Sequence, residues 1–291
     1  MTDSNPTDIF NDFRSGKIDK SSAIDKLFSI LKSSEDDKVK IHVLELIVSN
    51  FLTEGNEALR WVIQNEKSPV CLFELYEYLE ANGTEKAKNL VSFMEEELGK
   101  EFLVYFDLMD PREGVALKLL ELDTGTEVTT SSGASQHYVD FKTRNGHIEA
   151  LSVCQVVVSN TKFLKFLPRL RILSFYSQCI SKIEGLEYLS ELEKLELTDN
   201  GLIEIQGLEN LHNLKDLDLS YNRFSEINGL EYLTKLEKLD LSYNQLEEIN
   251  GLENLKNLEE LHLIENNISK IKGIKKLTNL KVLDLPDTKF D

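Results

Sequence analysis

Apolar residues in the C-terminal half of the chain recur with a period of 22 residues. Segments of the form LxxLxLxxNxL open in this register at Leu170, Leu192, Leu214, Leu236, Leu258 and Leu280, and Ile148 opens a further one. Apolar and polar residues alternate at the start of each segment, which predicts a short strand. The rest of each unit carries a glycine and two more leucines, which predicts a turn back to the next strand.

Units of this kind bury their leucines only by stacking, because neighbouring units share one core along the axis. The ninth position of four consecutive units is asparagine, at Asn200, Asn222, Asn244 and Asn266. We interpret this column as a structural ladder in which each amide satisfies backbone groups of the turn.

The units resemble leucine-rich repeats, and the 22-residue spacing with xxIxGLxxLxxL is similar to the short class found in the leucine-rich regulatory subunit of protein phosphatase 1. Bacterial internalins, splicing-factor and dynein-associated proteins and the acidic leucine-rich nuclear phosphoproteins resemble the same class. The resemblance covers seven units, roughly half of the chain. It implies a solenoid with a parallel sheet on its concave face, and it leaves the function open.

Residues 7 to about 122 show i, i+3, i+4 apolar spacing, which predicts amphipathic helices. A second repeat, offset by 31 residues, pairs Val39 with Val70, Ile41 with Leu72, Leu44 with Leu75, Val48 with Leu79, Leu59 with Leu90, and Ile63 with Met94. Two-helix units of this length resemble HEAT-like repeats, which implies helix pairs that stack on one another.

These patterns predict an α/β fold in three parts. Residues 1–122 are expected to form a HEAT-like helical domain, residues 123–136 a Ser/Thr/Gly-rich linker, and residues 137–291 the leucine-rich repeat domain. Asn145-Gly146 predicts a β-hairpin whose first strand, near residues 137–143, pairs with the first repeat strand and caps the sheet.

The charge of the chain restricts the kinds of partner. Its 33 Lys and Arg residues against 51 Asp and Glu residues give a formal net charge of −18. Such an excess repels phosphate backbones and anionic lipids, so we expect a basic protein partner, no direct nucleic-acid binding and no membrane binding. The sequence has no run of 18 apolar residues and no basic start followed by an apolar core, so we expect a cytoplasmic protein.

No sequence pattern points to catalysis. The motifs GxxxxGK[ST], GxSxG, HExxH and GxGxxG are absent. Cys71, Cys154 and Cys179 form no CxxC pair and no metal-ligand spacing, so we expect reduced and mostly buried thiols. We therefore predict a non-enzymatic protein that uses neither a cofactor nor a metal.

Two outward positions of the repeat carry the candidate binding residues. The fifth position reads Ser152, Ser174, Glu196, Asp218, Asp240, His262, Asp284, and the eighth reads Gln155, Ser177, Asp199, Tyr221, Tyr243, Glu265, Asp287. Because stacked strands lie ~4.8 Å apart, like charges at the fifth position cost a few tenths to ~1 kcal/mol each. A cationic partner would remove that cost, and exposed tyrosines supply rigid contact area. The hypothetical partner-binding surface comprises Glu196, Asp199, Asp218, Tyr221, Asp240, Tyr243, His262 and Glu265.

An alternative interpretation is that the acidic positions were copied with the repeat, with Lys194, Lys215 and Lys238 neutralising them. A further hypothesis concerns His262, which is expected between Asp240 and Asp284. Two carboxylates favour a protonated imidazole, so partner affinity would then change between about pH 6 and 8.

The function expected from these features is a protein-interaction scaffold. Three alternatives remain open. The repeat class suggests a regulatory subunit of a Ser/Thr protein phosphatase or an effector of a small GTPase, and the charge suggests a binder of histones or other basic nucleic-acid-associated proteins.

Overall fold

A computed structural model describes residues 5–103, 110–129, 138–177 and 180–286. The α-helices of these residues occupy the N-terminal part: α1 Pro6–Arg14, α2 Lys20–Ser33, α3 Asp37–Phe51, α4 Asn56–Asn65, α5 Pro69–Asn82, α6 Glu85–Leu103 and α7 Pro111–Thr124. The strands follow: β1 Val128–Thr129, β2 Tyr138–Arg144, β3 His147–Cys154, β4 Ile172–Tyr176, β5 Lys194–Glu196, β6 Asp216–Asp218, β7 Lys238–Asp240, β8 Glu248–Ile249, β9 Glu260–His262, β10 Lys270–Ile271 and β11 Val282–Asp284. Short 3₁₀ helices lie at Lys162–Phe166, Leu186–Tyr188, Leu208–Asn210, Leu230–Tyr232 and Ile274–Lys276.

Local sequence determines where the helices begin and end. At the start of α7, the Asp110 carboxylate accepts a hydrogen bond from the Arg112 amide at 3.0 Å, and Pro111 occupies the first helical position. Helix α7 ends at Gly125, whose φ of 64° is the left-handed conformation that glycine adopts without a Cβ penalty. Side-chain caps of this kind satisfy backbone donors that the helix itself leaves unpaired.

Each of the helices α3 and α4 packs against its equivalent in the next predicted unit. Helix α3 packs against α5, and α4 packs against α6. Two of the predicted equivalent pairs, Leu44 with Leu75 and Leu59 with Leu90, have no exposed surface at either member. Equivalent helices therefore bury equivalent leucines, and the HEAT-like classification stays a prediction.

The C-terminal part is a parallel sheet in which consecutive strands are joined by crossovers. The sheet order is β1-β2-β3-β4-β5-β6-β7-β9-β11, and from β3 onward each strand pairs in parallel with the next. Residues in register are 22 positions apart, as with Leu195, Leu217, Leu239 and Leu261. These four leucines have no exposed surface, so the stacked units share one continuous apolar core.

A hairpin extends this sheet at its N-terminal edge. Strand β2 runs antiparallel to β3, and Asn145-Gly146 joins the two strands. The φ angles of these residues are 54° and 76°, which is the pair of positive values that a type I′ turn requires.

Helix α7 joins the helical part to the sheet. It packs against the 3₁₀ helix Lys162–Phe166. Glu113 on α7 is 1% exposed, and its Oε2 accepts a hydrogen bond from the Ile148 amide at 3.0 Å while Oε1 lies 3.2 Å from His147 Nδ1. A buried carboxylate is costly without such partners, so these bonds fix α7 against β3.

Part of the predicted linker is ordered structure. Helix α7 continues to Thr124, and β1 at Val128–Thr129 pairs with β2. The rest of the predicted linker, together with Cys179 and Asp287, lies outside the described residues.

The asparagines of the ninth position bond to the backbone of their own and neighbouring units. Asn222 Nδ2 donates to the carbonyls of Leu197, Leu219 and Ser220 at 2.8 to 3.1 Å. Its Oδ1 accepts from the Leu202 amide at 2.9 Å. Asn200, Asn244 and Asn266 make equivalent bonds, so the column connects consecutive turns.

We expect Asn222→Ala to lower the free energy of unfolding by about 2 kcal/mol or more, because it leaves several buried backbone groups without partners. The measurement is chemical denaturation at pH 7. The control is Asn213→Ala, which removes a half-buried asparagine on the outside of the repeats whose Nδ2 donates to the Ser190 carbonyl at 2.9 Å. Equal losses in the two variants would contradict the role of the buried column.

Candidate partner-binding surface

The fifth position of each repeat lies near the middle of the exposed face of the sheet. Parallel pairing places Glu196, Asp218, Asp240, His262 and Asp284 in direct register on neighbouring strands. Each of these side chains is half-buried. The structure therefore forms the predicted acidic column, and the partners of its members differ along it.

Glu196 already has several bonding partners within the protein. Its carboxylate pairs with Lys194 at 2.7 Å and accepts hydrogen bonds from Ser174 at 2.6 Å and from the Tyr176 hydroxyl. Burial acts to raise the pKa of Glu196, but the hydrogen bonds from Lys194, Ser174 and Tyr176 outweigh it and lower that pKa. This residue stabilises the fold more than it contributes an open binding group.

Among the described residues, Asp218 and Asp240 accept hydrogen bonds at the Oδ1 oxygen alone. In each case Oδ1 accepts a hydrogen bond from the amide two residues later, from Ser220 at 2.9 Å and from Ser242 at 2.8 Å. The ion pairs of the described residues on this face involve Glu196, Asp216, Glu260 and Asp284, and not Asp218 or Asp240. These two adjacent carboxylates therefore keep unneutralised negative charge.

The three lysines considered as neutralising groups form ion pairs mainly with acidic residues outside the fifth position. Lys238 pairs with Glu260 at 2.9 Å, and Lys215 pairs with Glu193 at 3.2 Å. Only Lys194 contacts the fifth position, through Glu196. The interpretation that all three lysines neutralise the column is therefore wrong for Lys215 and Lys238.

His262 lies between Asp240 and Asp284 in strand register, as predicted, but its ring contacts only one of these two carboxylates. Its Nδ1 lies 2.5 Å from Asp284 Oδ2, and its Nε2 lies 4.0 Å from Glu260 Oε2. Asp284 is a partner as expected, but the second carboxylate is Glu260 on the same strand rather than Asp240. Asp284 and His262 are therefore paired with each other at the end of the column.

The eighth position has an unusual backbone conformation that the sequence pattern did not reveal. Gln155, Ser177, Asp199, Tyr221, Tyr243 and Glu265 all have φ between 52° and 60°. For a residue with a Cβ this left-handed conformation costs roughly 1–2 kcal/mol, and Asn, Asp and Gly tolerate it best. The backbone conformation therefore does not explain why two of these positions carry the bulky residue tyrosine.

Tyr221 and Tyr243 stack on each other at the strand exit. Their ring centroids are 4.1 Å apart and their planes differ by 9°. The residues remain 50% and 43% exposed. A hydrogen bond to Tyr243 raises the pKa of Tyr221, and the charges of Asp240 and Glu265 add to that increase. The tyrosine pair and the acidic column therefore form one continuous surface.

Three further properties of the described residues concern metal binding, membrane insertion and thiol reactivity. These residues contain no group of three or more His, Cys, Asp or Glu side chains placed to hold a metal ion. None of their helices has the length and apolar character needed to cross a membrane. Cys71 and Cys154 are free thiols, and burial raises the pKa of the Cys71 thiol to about 12, so it stays protonated at neutral pH.

A family model described as leucine-rich repeats in two copies matches residues 190–232, 212–254 and 234–271. Residues 190–271 therefore contain leucine-rich repeats. The matched segments contain the strands from β5 to β10 and all eight predicted surface residues. Leucine-rich repeats are protein-interaction modules whose stacked units create an extended binding surface.

Solved structures with leucine-rich repeats are similar to parts of the chain. An internalin of Listeria monocytogenes is 22% identical, with 49% of this chain and 48% of that chain covered and a TM-score of 0.40. A leucine-rich repeat protein of Leptospira interrogans is 29% identical, with coverage of 45% and 41% and a TM-score of 0.39. The repeat ectodomain of the receptor kinase SOBIR1 from Arabidopsis thaliana is 20% identical, with coverage of 56% and 97% and a TM-score of 0.42.

The chain spans less than half of the length of the first two of these proteins. No curated protein sequence matches the chain.

Sequence reasoning missed a second asparagine column on the outside of the repeats. Asn213, Asn257 and Asn279 each donate to the carbonyl 23 residues earlier, at Ser190, Thr234 and Lys256. The signal was present as an asparagine directly before the opening leucine of three units. It also missed Ser174 and Tyr176 as partners of Glu196, because that contact depends on the side-chain rotamers.

We expect Glu196→Gln to lower the free energy of unfolding at pH 7 by about 1 kcal/mol, because the neutral amide loses the ion pair to Lys194. A lowered pKa in the folded state stabilises the protein above the unfolded value of about 4.3, and that contribution disappears as pH falls through the folded value. In denaturation measured across pH, the difference from the wild type should therefore decline as pH falls below about 4.3 and disappear below the lowered pKa of Glu196 in the folded state. Glu191→Gln, an exposed change directly before the opening leucine of this unit, is the control. A pH-independent difference for Glu196→Gln would contradict this assignment.

Proposed function

We propose that this protein is a non-enzymatic interaction scaffold that binds a basic segment of a partner protein on the exposed sheet face of its leucine-rich repeats. The observation that carries the proposal is the position of Asp218 and Asp240 beside the stacked, exposed Tyr221 and Tyr243. Adjacent like charges are unfavourable in the free protein, and a basic segment would relieve that repulsion.

The proposed centre of the surface is narrower than the full predicted set. Asp218, Asp240, Tyr221 and Tyr243 form the centre, with Asp199 and Glu265 on either side of the tyrosines along the eighth position. Glu196 and His262 lie at the edges, where Lys194 and Asp284 already hold them. Exposed aromatic rings surrounded by polar groups are typical of the residues that dominate interface energies.

The net charge of −18 supports a basic partner, and histones or other basic nucleic-acid-associated proteins form one class with that property. Two alternative functions, regulation of a Ser/Thr phosphatase and binding of a small GTPase, are supported by the repeat class alone. We propose a cytoplasmic setting with a HEAT-like helical part, and the free thiols of Cys71 and Cys154 support a reducing compartment.

Selection from a random peptide library displayed on phage tests the proposed function. We expect the selected peptides to be rich in Lys and Arg. In Asp218→Asn/Asp240→Asn we expect the Kd of these peptides to rise about tenfold, since two carboxylates at about 0.7 kcal/mol each amount to a factor of ten. Binding should also weaken as NaCl is raised from about 50 to 500 mM.

The matched control is Glu226→Gln/Glu247→Gln, which removes two exposed acids from the loops after β6 and β7. It changes the net charge equally, so a long-range charge effect would weaken binding in both variants. Selected peptides without basic residues, or equal affinities for the wild type and Asp218→Asn/Asp240→Asn, would contradict the proposed site.

A further inference from the structure

The stacked tyrosine pair leaves only its two outer ring faces available to a ligand. The inner faces of Tyr221 and Tyr243 cover each other at 4.1 Å, with planes 9° apart. Asp199, Tyr221, Tyr243 and Glu265 occupy the same position of four consecutive units, one strand spacing of ~4.8 Å apart. The outer face of Tyr221 is therefore directed along the row towards Asp199, and that of Tyr243 towards Glu265.

Each end of the stack thus combines an aromatic face with a carboxylate. A flat cation is the group that both features attract, because the ring face is electronegative and the carboxylate is charged. Guanidinium is planar, stacks on aromatic rings and is less strongly hydrated than an ammonium group, so it fits this place better than lysine does. Resting on the proposed function, we propose that the outer faces of Tyr221 and Tyr243 bind arginine side chains of the partner.

The two ends differ in their surroundings. The outer side of Tyr221 opens into a groove of about 480 Å³, which is lined by Asp199, Val157 and Arg223 among others. Val157 is 72% exposed and offers an apolar surface for the methylene groups of an arginine. Arg223, however, opposes a second cation there. The equivalent residues beyond Tyr243 are the neutral Gln245 and Asn267, so Tyr243 and Glu265 form the stronger of the two places.

The spacing of the two places restricts the ligand. Cations in van der Waals contact of about 3.5 Å with each outer face would lie about 11 Å apart. In an extended chain with ~3.4 Å per residue, side chains four residues apart lie on the same side and are separated by about 14 Å. Flexible arginine side chains close the remaining difference. The structure therefore fits two arginines four residues apart in an extended segment.

The backbone supplies independent support. Tyrosine is a poor residue for the left-handed conformation that the eighth position adopts, whereas the other units place Gln, Ser, Asp and Glu there. Two adjacent units nevertheless carry tyrosine at this position, and the two rings stack while remaining partly exposed to solvent. A role in ligand contact accounts for both facts, since local backbone strain persists preferentially at functional sites.

The test uses three nine-residue Gly-Ser peptides that carry Arg, Lys or citrulline at positions 3 and 7. Binding to the full chain is followed by NMR titration of the tyrosine ring signals. We expect the Arg peptide to bind at least about fivefold more tightly than the Lys peptide, and the neutral citrulline peptide to bind most weakly. Equal affinity for the Arg and Lys peptides would overturn the inference.

Variants locate the effect on the rings. Tyr243→Asn should abolish the preference for Arg over Lys, and asparagine suits the positive φ, so the fold should be retained. Tyr243→Phe keeps the ring and should keep the preference. Tyr188→Asn, which removes a tyrosine of similar exposure from the 3₁₀ helix Leu186–Tyr188, is the control. Glu265→Gln should weaken Arg-peptide binding more than Asp199→Asn does, and a preference that survives Tyr243→Asn would refute the site.

The outcomes separate this inference from the proposed function. If the Arg and Lys peptides bind equally and both lose affinity in Asp218→Asn/Asp240→Asn, the acidic surface stands and the arginine sites fail. If no peptide binds the wild type in a salt-dependent way, the proposed function and the inference both fail.

Discussion

The parallel register of 22 residues is the constraint on which the rest of the solenoid depends. Leu195, Leu217, Leu239 and Leu261 come into register only if every unit contributes the same number of residues, and their complete burial provides the apolar core. The same register then aligns every outward position. The acidic column, the stacked tyrosines and the buried asparagine ladder are consequences of that alignment, because a side chain in one unit always meets its equivalent in the next.

The helical part is continuous with this core rather than tethered to it. Helix α7 packs on the 3₁₀ helix Lys162–Phe166, and Phe166 contacts Tyr76 of α5 with ring centroids 4.8 Å apart. Glu113 bonds to the first repeat strand through the Ile148 amide. A solenoid must cover the apolar end of its first unit, and here the helices and the β2–β3 hairpin do so. This attachment gives the sheet a fixed end from which the surface is presented.

Some acidic residues on the exposed sheet face form bonds within the chain, whereas others remain available to a ligand. Glu196 and Asp284 have partners within the chain, in Lys194 and His262. Asp218 and Asp240 lie between them and retain free charge next to the tyrosine pair. The acidic residues at the edges of this surface are neutralised within the chain, whereas those at its centre are not. This arrangement favours a ligand centred on the two middle units. The net charge of the whole chain did not contain that information, since it counts paired and unpaired acids alike.

The sequence by itself determined the repeat, its register, the burial of its leucines, the asparagine ladder and the Asn145-Gly146 hairpin, because each follows from a periodic pattern or a local turn preference. It also placed Asp218, Asp240, Tyr221 and Tyr243 on one surface. Only the tertiary structure decided that Glu196 is bonded by Lys194, Ser174 and Tyr176, that the His262 ring contacts Asp284 and Glu260, and that the two tyrosine rings stack. The physical reason is that register fixes which positions are neighbours, whereas side-chain rotamers and the left-handed backbone at the eighth position determine which atoms meet.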